Sequence, residues 1–196
     1  MNKKNLIYIS RCLSATVGRL RRARARRRCT LLLAGALLLV GCAGYSGSGL
    51  QPGVSTLADV LALMGSPTLA WRDADGSEQL AFARGPAGTQ TFMVFIAPDG
   101  RLRARQGVLD SEHFARIVAG RSNQDAVLRL IGPPVAQWTA YFPARNELVW
   151  EWRFCDSWNQ VARFSVLFDA TTGIVRTTQQ QQELAGFDGV APFCGH

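Results

Sequence analysis

"GVSTLADVLALMGSP" (Gly53–Pro67) and "GRSNQDAVLRLIGPP" (Gly120–Pro134) share glycine, serine and proline positions at one constant offset, which pairs Gly53 with Gly120 and Pro67 with Pro134. Both contain apolar residues at helical spacing, followed by a glycine and then a proline. A glycine that ends a helix and a proline that prevents its continuation are common singly. Because both occur twice in register, the sequence predicts two copies of one helical unit.

Each predicted helix has a candidate capping box, in which a hydroxyl residue and an acidic residue three positions later bond to each other's backbone. Thr56 and Asp59 have this spacing in the first copy, and Ser122 and Asp125 have it in the second. The buried faces are predicted to contain Val60, Leu61, Leu63 and Met64 in the first copy and Val127, Leu128, Leu130 and Ile131 in the second.

The ends of the two helices are predicted at Gly65 and Gly132. Glycine adopts the left-handed conformation that closes a helix without the steric cost that other residues incur. Pro67 and Pro134 follow and cannot continue the helix. These motif residues are therefore expected to be structural.

Both copies continue into runs of alternating residues bounded by turn signals, which predict strands. The predicted strands are Leu69–Arg72, Glu78–Arg84, Thr91–Ala97 and Arg101–Val108 in the first copy, and Glu147–Cys155, Ala162–Ala170 and Ile174–Gln180 in the second. An additional helix over Asp110–Gly120 precedes the second copy, so the first copy is the truncated one. The predicted fold class is α+β, with each short helix or helix pair packed on an antiparallel sheet.

The predicted strand Glu147–Cys155 has an aromatic and a polar face. Leu148, Trp150, Trp152 and Phe154 share one face, and Glu147, Glu151 and Arg153 share the other. The aromatic row fits a sheet core, because aromatic residues cover a large area with few side chains. A ligand platform is the alternative interpretation.

The positive charge of the chain is concentrated in the segment that ends at Arg28. The whole chain has a net charge of +8, but ten of its 22 basic residues and none of its 14 acidic residues precede residue 30. The remainder is therefore slightly acidic. This distribution argues against nucleic acid as a partner, because no basic stripe remains to neutralise phosphates.

A basic segment ending at Arg28 and the short apolar run after it are typical of a secretory signal peptide. "LVGC" (Leu39–Cys42) resembles a bacterial lipobox, which implies that Cys42 is lipidated with acyl chains, palmitate among them, and anchors the chain in a membrane. Ala43 at the next position favours the outer membrane. A buried N-terminal helix ending in a free thiol is the alternative, and Arg27-Arg28 leaves open a twin-arginine signal.

"SEHFARIVAGRSNQDAVLRLIGPP" (Ser111–Pro134) and "VLFDATTGIVRT" (Val166–Thr177) resemble the BamE (SmpA/OmlA) domain family of outer-membrane lipoproteins. The resemblance implies an α-α-β-β-β fold and a role in the barrel-assembly machinery or elsewhere in the envelope. Arg121 and Val54 replace the usual motif methionine, and two copies replace one, which argues against the assembly-machine subunit itself. The tandem arrangement also resembles that of the β-lactamase inhibitor protein.

The resulting organisation has five parts. They are a signal peptide (1–41), a lipidated cysteine with a flexible tether (42–53), a truncated first copy (54–109), a second copy (110–180) and a C-terminal tail (181–196).

Catalytic and metal-binding motifs are absent from the sequence. His113 and His196 have no ligand spacing to a cysteine or carboxylate, so neither a metal nor another cofactor is expected. No nucleophile elbow, phosphate loop or dinucleotide motif occurs, and the protein is predicted not to be an enzyme. Cys155 and Cys194 remain after the leader and Cys42, and an oxidising periplasm favours a disulfide between them. Two buried free thiols are the alternative.

These observations predict an outer-membrane lipoprotein that acts as a non-enzymatic scaffold or accessory factor in outer-membrane protein assembly or envelope integrity. Its candidate partner-binding residues are Glu147, Glu151, Arg153 and Arg163, on the polar side of the second sheet. The alternative function is a periplasmic ligand-binding or enzyme-inhibiting module. An ordinary solvated strand surface would carry the same polar residues.

Overall fold

The computed structural model describes residues 46–84, 88–183 and 194. The helices and strands are α1 (Leu57–Met64), β1 (Leu69–Arg72), β2 (Glu78–Arg84), β3 (Gln90–Ile96), β4 (Leu102–Gly107), α2 (Ser111–Ala115), α3 (Gln124–Ile131), β5 (Ala140–Phe142), β6 (Glu147–Cys155), β7 (Val161–Asp169) and β8 (Val175–Gln182). The strands form two antiparallel four-stranded sheets, ordered β1-β2-β3-β4 and β5-β6-β7-β8. The predicted α+β class is confirmed.

Three strands, β1, β2 and β6, have the predicted bounds, because turn residues flank each of them. β5 was not predicted, since its three residues are too few to show alternation. It lies between two short 3-10 turns, Ala136–Trp138 and Pro143–Arg145.

The segment just before α1 and the segment just before α3 each form a backbone hydrogen bond with the last strand of a sheet. The Gly53 N–H donates to the Leu102 carbonyl at 2.8 Å, and the Gly120 N–H donates to the Val175 carbonyl at 2.8 Å. α1 begins with the predicted capping box at Thr56. The two halves thus repeat a tertiary contact as well as a sequence pattern.

The residue that caps α3 is Asn123, and the prediction of Ser122 is wrong. The Asn123 side-chain oxygen accepts from the Ala126 N–H at 2.8 Å, whereas the Ser122 hydroxyl accepts from the Val118 N–H at 3.0 Å. The offset between the two copies aligns Asn123, not Ser122, with Thr56. Asparagine caps a helix as well as serine does, so the register of the repeat decides the cap.

Gly65 and Gly132 end α1 and α3 with positive φ angles of 76° and 80°, as predicted. Their ψ angles are −156° and −169°, so the backbone is extended and not in the predicted left-handed helical region. Glycine alone adopts this combination readily.

The predicted buried faces are correct in part. Val60, Met64, Val127 and Ile131 are buried, but Leu61 is exposed. The other three predicted residues, Leu63, Leu128 and Leu130, are half-buried. Eight-residue helices have room for two fully buried positions one turn apart.

The additional helix is also shorter than predicted. α2 covers only Ser111–Ala115, and although Phe114 and Ile117 are buried, Val118 is exposed. The chain leaves the helix in a tight turn, because the Ile117 N–H bonds to the Phe114 carbonyl.

The helices and sheets alternate as layers. α1 covers one face of the first sheet. The sheet side chains that are buried beneath it are Leu80, Phe82, Val94, Ile96 and Leu102. The other face of that sheet lies toward α3, where the Gln79 side chain donates to the Arg129 carbonyl. α2 and α3 pack in turn on the aromatic face of the second sheet. α3 therefore contacts both sheets.

Residues 46–53, predicted as part of a flexible tether, contact the first sheet at several points. Gly47 is buried, and Leu50 packs against the core beneath α1. The Arg105 guanidinium donates to the Ser46 carbonyl at 2.8 Å. Glycine permits this close approach, because a Cβ at Gly47 would lie 2.7 Å from the Met64 sulfur.

Candidate functional site

The polar face of the second sheet brings three of the four predicted partner-binding residues together. The β6–β7 register places Arg153 directly opposite Arg163. Glu183, just after β8, lies between the two guanidinium groups and accepts from Arg153 Nε at 2.7 Å and from Arg163 Nη2 at 3.1 Å. The Glu151 carboxylate lies 4.0 Å from Arg163. We call these four side chains the ion cluster.

The Trp138 ring covers the two arginines of the ion cluster. It lies 4.4 Å from the Arg163 guanidinium carbon and 5.2 Å from that of Arg153, within cation–π range. The charged side chains of the cluster are only 15–28% exposed. The polar face is thus largely satisfied by internal contacts, and little of it is free for a partner.

Glu147, the fourth predicted residue, lies apart from the ion cluster. It is buried near the start of β6 and pairs with Arg145 at 2.9 Å. The Arg145 guanidinium also lies 4.5 Å from the Phe142 ring centre. Glu147 therefore supports the β5–β6 turn.

Glu183→Gln is expected to destabilise the protein by about 1–3 kcal/mol at neutral pH, because it removes charged hydrogen bonds from two half-buried arginines. Burial opposes ionisation of Glu183, but the bonds from Arg153 and Arg163 outweigh it and hold its pKa below the usual 4.5. A depressed folded-state pKa contributes stability above the unfolded-state value, and this contribution is lost as the pH falls through the folded-state value. The difference between wild type and variant should therefore shrink below about pH 4.5 in urea unfolding.

Glu112→Gln is the matched control for this prediction. Glu112 is exposed on α2 and, in the part of the chain that the structure describes, forms no ion pair. The free energy of unfolding of the Glu112→Gln variant should stay within about 0.5 kcal/mol of that of wild type. An equal loss in both variants would contradict a stabilising ion cluster.

The aromatic row belongs to the core. Trp152 is 1% exposed, and its indole N–H donates to the Gly132 carbonyl at 3.2 Å. Phe164 stacks on Phe114 of α2 with ring centres 3.9 Å apart. Trp158, in the turn after β6, is by contrast 78% exposed. Within the row, Trp152 and Phe154 are buried and Leu148 and Trp150 are half-buried against the same core, which argues against an open ligand platform.

A cavity of about 470 Å³ lies between the first sheet and the helices α2 and α3. Its polar lining consists of Gln79, Arg103, Gln106, His113, Arg116 and Arg129, and its apolar lining of Phe95, Ala104, Val108, Ala126 and Leu130. We call this cavity the basic groove. No carboxylate among the described residues lines it, although the chain after residue 30 is slightly acidic.

Arg129 and His113 of the basic groove are held by acidic neighbours. Arg129 pairs with Asp73 at 2.9 Å and with Asp125 at 3.2 Å. His113 bonds to Asp110 at 2.8 Å. These carboxylates fix the two side chains from outside the groove.

Arg103 and Arg116 differ from these two groups. Neither has a carboxylate within 4.0 Å in the described ranges, and Arg103 rests on the Phe95 ring. Asp75 lies near enough to be attracted by Arg103, but forms no ion pair with it. Among the described residues, these two are therefore the arginines of the groove that have no ion-pair partner.

Cys155 and Cys194 form a disulfide in the structure. The Cys194 N–H donates to the Asn159 carbonyl at 3.2 Å, and the Asn159 side chain donates back to the Cys194 carbonyl. The bond fastens Cys194 to the β6–β7 end of the second sheet.

Cys42, the rest of the predicted leader and most of the predicted tail lie outside the described residues. Among the residues that the structure describes, no helix combines the length and apolar character needed to cross a bilayer. The same residues contain no group of His, Cys, Asp and Glu side chains that could hold a metal ion.

Comparison with known proteins found no matching family model, no matching curated protein and no matching solved structure. The resemblance to the BamE family therefore rests on the motif residues.

Sequence reasoning did not identify Trp138, Glu183 or the basic groove. Trp138 stands in the second copy where Trp71 stands in the first, and both rings lie against arginines, so the repeat offset carried a usable signal. No local sequence pattern predicts the groove, because its arginines come from three separate segments.

Proposed function

We propose that the protein is an outer-membrane lipoprotein, anchored through Cys42, that works as a non-enzymatic scaffold at the periplasmic face of the membrane. Its fold is proposed to be a tandem of BamE-like units. The repeated hydrogen bonds that join the segment before α1 to β4 and the segment before α3 to β8 support this proposal. The accessory role in outer-membrane protein assembly or envelope integrity follows from the lipobox and the motif resemblance.

The packing of residues 46–53 is the observation that carries this proposal. Ser46 is held by Arg105, only four residues after Cys42. Four extended residues span about 14 Å, so a lipid on Cys42 would keep the folded unit close to the bilayer surface. A short connection suits a protein that acts on partners in the membrane, whereas an inhibitor of soluble enzymes would benefit from a longer reach.

Cys42→Ala is expected to abolish labelling by an alkyne analogue of palmitate and to remove the protein from the outer-membrane fraction. The lipidated cysteine supplies the apolar chains, each CH₂ contributing about 0.8 kcal/mol of membrane affinity. Cys194→Ser should keep both properties and serves as the cysteine control. Retention of the Cys42→Ala protein in salt-washed outer membranes would contradict the anchor.

A linker insertion tests the scaffold role independently of membrane anchoring. About ten Gly and Ser residues placed after Ala43 should leave the lipid label and the membrane fraction unchanged, while extending the reach by about 17 Å. Photo-cross-links in intact cells to barrel-assembly subunits or outer-membrane barrels should then weaken relative to wild type. Recovery of one soluble periplasmic enzyme and no barrel protein would favour the inhibitor instead.

A further inference from the structure

We propose that the basic groove is a binding site for a small phosphorylated ligand, one that carries a phosphate monoester beside an apolar or aromatic group. The groove has the size of a small-molecule pocket, whose usual volume is about 300–1,000 Å³. Its lining combines arginines with the apolar side chains of Phe95, Val108 and Leu130. This proposal goes beyond the scaffold role and does not depend on the lipid anchor.

Arg103 and Arg116 are the groups expected to hold the phosphate. They approach from different elements, since Arg103 belongs to β4 and Arg116 follows α2. A guanidinium group matches the geometry of phosphate oxygens and binds them through two parallel hydrogen bonds. Two such groups in one groove fit a dianion better than a single charge.

Arg129 is the third arginine of the proposed site, and its own contacts hold it in place. Its ring contact with Trp71, at 5.5 Å, and its two carboxylate partners fix the guanidinium on the α3 side. The amide groups of Gln79 and Gln106 add polar atoms to the lining. Gln79 already donates to the Arg129 carbonyl, so it also joins the first sheet to α3 at the base of the groove.

The carboxylates near the groove repel an anion and therefore limit the affinity of the groove for it. Asp73, Asp110 and Asp125 are all engaged by Arg129 or His113, and Asp75 is attracted by Arg103. None of the four lines the groove. Binding should therefore be moderate and should weaken as salt screens the two free arginines.

Titration calorimetry of the purified full chain in non-ionic detergent, with phenyl phosphate as the probe, tests the site. Wild type should bind phenyl phosphate and should not bind phenol. Arg116→Ala and Arg103→Ala should each weaken binding about ten- to a hundredfold, the loss expected for a charged hydrogen-bonding partner. Arg121→Ala is the matched control, because Arg121 is exposed just beyond α2, outside the groove, and should leave the affinity unchanged.

A second arm distinguishes the source of the phosphate. Binding to phosphatidic acid vesicles but not to phenyl phosphate, lost in Arg116→Ala and kept in Arg121→Ala, would assign the same chemistry to a lipid headgroup. Binding of phenyl phosphate with the same arginine dependence assigns it to a soluble ester. Equal affinities of wild type and Arg116→Ala in both arms, or no binding in either, would overturn the proposal. A thermal unfolding curve for each variant verifies that it is folded.

Discussion

Gly132→Val is expected to lower the free energy of unfolding by about 2–6 kcal/mol, from backbone strain of about 1–3 kcal/mol and overpacking of similar size. The φ of 80° with ψ of −169° is a conformation that a β-branched residue resists. A Cβ at this position would lie 2.7 Å from the Thr91 Cγ2 atom and 3.7 Å from Ala81 Cβ. Thr91 is itself buried in β3, so it has little room to move.

The position of Gly132 between the two sheets explains the size of this effect. On one side it meets Thr91 of the first sheet, and on the other its carbonyl accepts the buried indole N–H of Trp152. A shift of the backbone that relieves the first contact would disturb the second. Both sheets therefore constrain this glycine.

Gly65→Val provides the control, because the two glycines share a backbone conformation and differ in surroundings. The φ of Gly65 is 76°, but among the described residues no atom beyond its own chain neighbours lies within 4 Å of the position that its Cβ would take. The free energy of unfolding of Gly65→Val should therefore fall only by the cost of backbone strain, about 1–3 kcal/mol. Urea unfolding measures both, and equal losses at Gly65 and Gly132 would show that the contact with Thr91 carries no cost.

The secondary structure could be predicted largely from local signals. Alternation and flanking turn residues identified β2 and β6 to the residue, and the repeated glycines marked the ends of α1 and α3. Errors arose where two neighbouring residues were equally suitable, as with Ser122 and Asn123 at the α3 cap. The repeat register would have resolved that choice.

The candidate sites depended on tertiary contacts that the sequence pattern does not contain. Alternation placed Arg153 and Glu151 on the polar face, but the closure of that face by Trp138 and Glu183 depends on the path of the chain before and after β6–β8. The contacts of residues 46–53 with the first sheet were missed for the same reason. A glycine-rich composition suggests flexibility, whereas Gly47 is the residue that lets the segment pack tightly.

Loss of the disulfide is expected to destabilise the protein by about 2–4 kcal/mol, which the chain-entropy account attributes to a less constrained unfolded state. Cys155 and Cys194 are 39 residues apart in sequence, so the closed loop is long. Cys155→Ser with Cys194→Ser, or reduction of wild type, should both lower the midpoint of urea unfolding. Reductant should leave the double variant unchanged.

Intact mass after alkylation distinguishes the disulfide from the two-thiol alternative. Under the proposed processing, which removes Cys12 and Cys29 and acylates Cys42, the protein should gain no alkyl group under non-reducing denaturing conditions and two after reduction. Two alkyl groups without reduction would contradict the bond. Because Cys194 also exchanges backbone and side-chain hydrogen bonds with Asn159, the double variant tests whether these contacts hold the C-terminal segment without the covalent link. Rapid proteolysis after Glu183 in that variant, but not in wild type, would show that the disulfide is the main fastening.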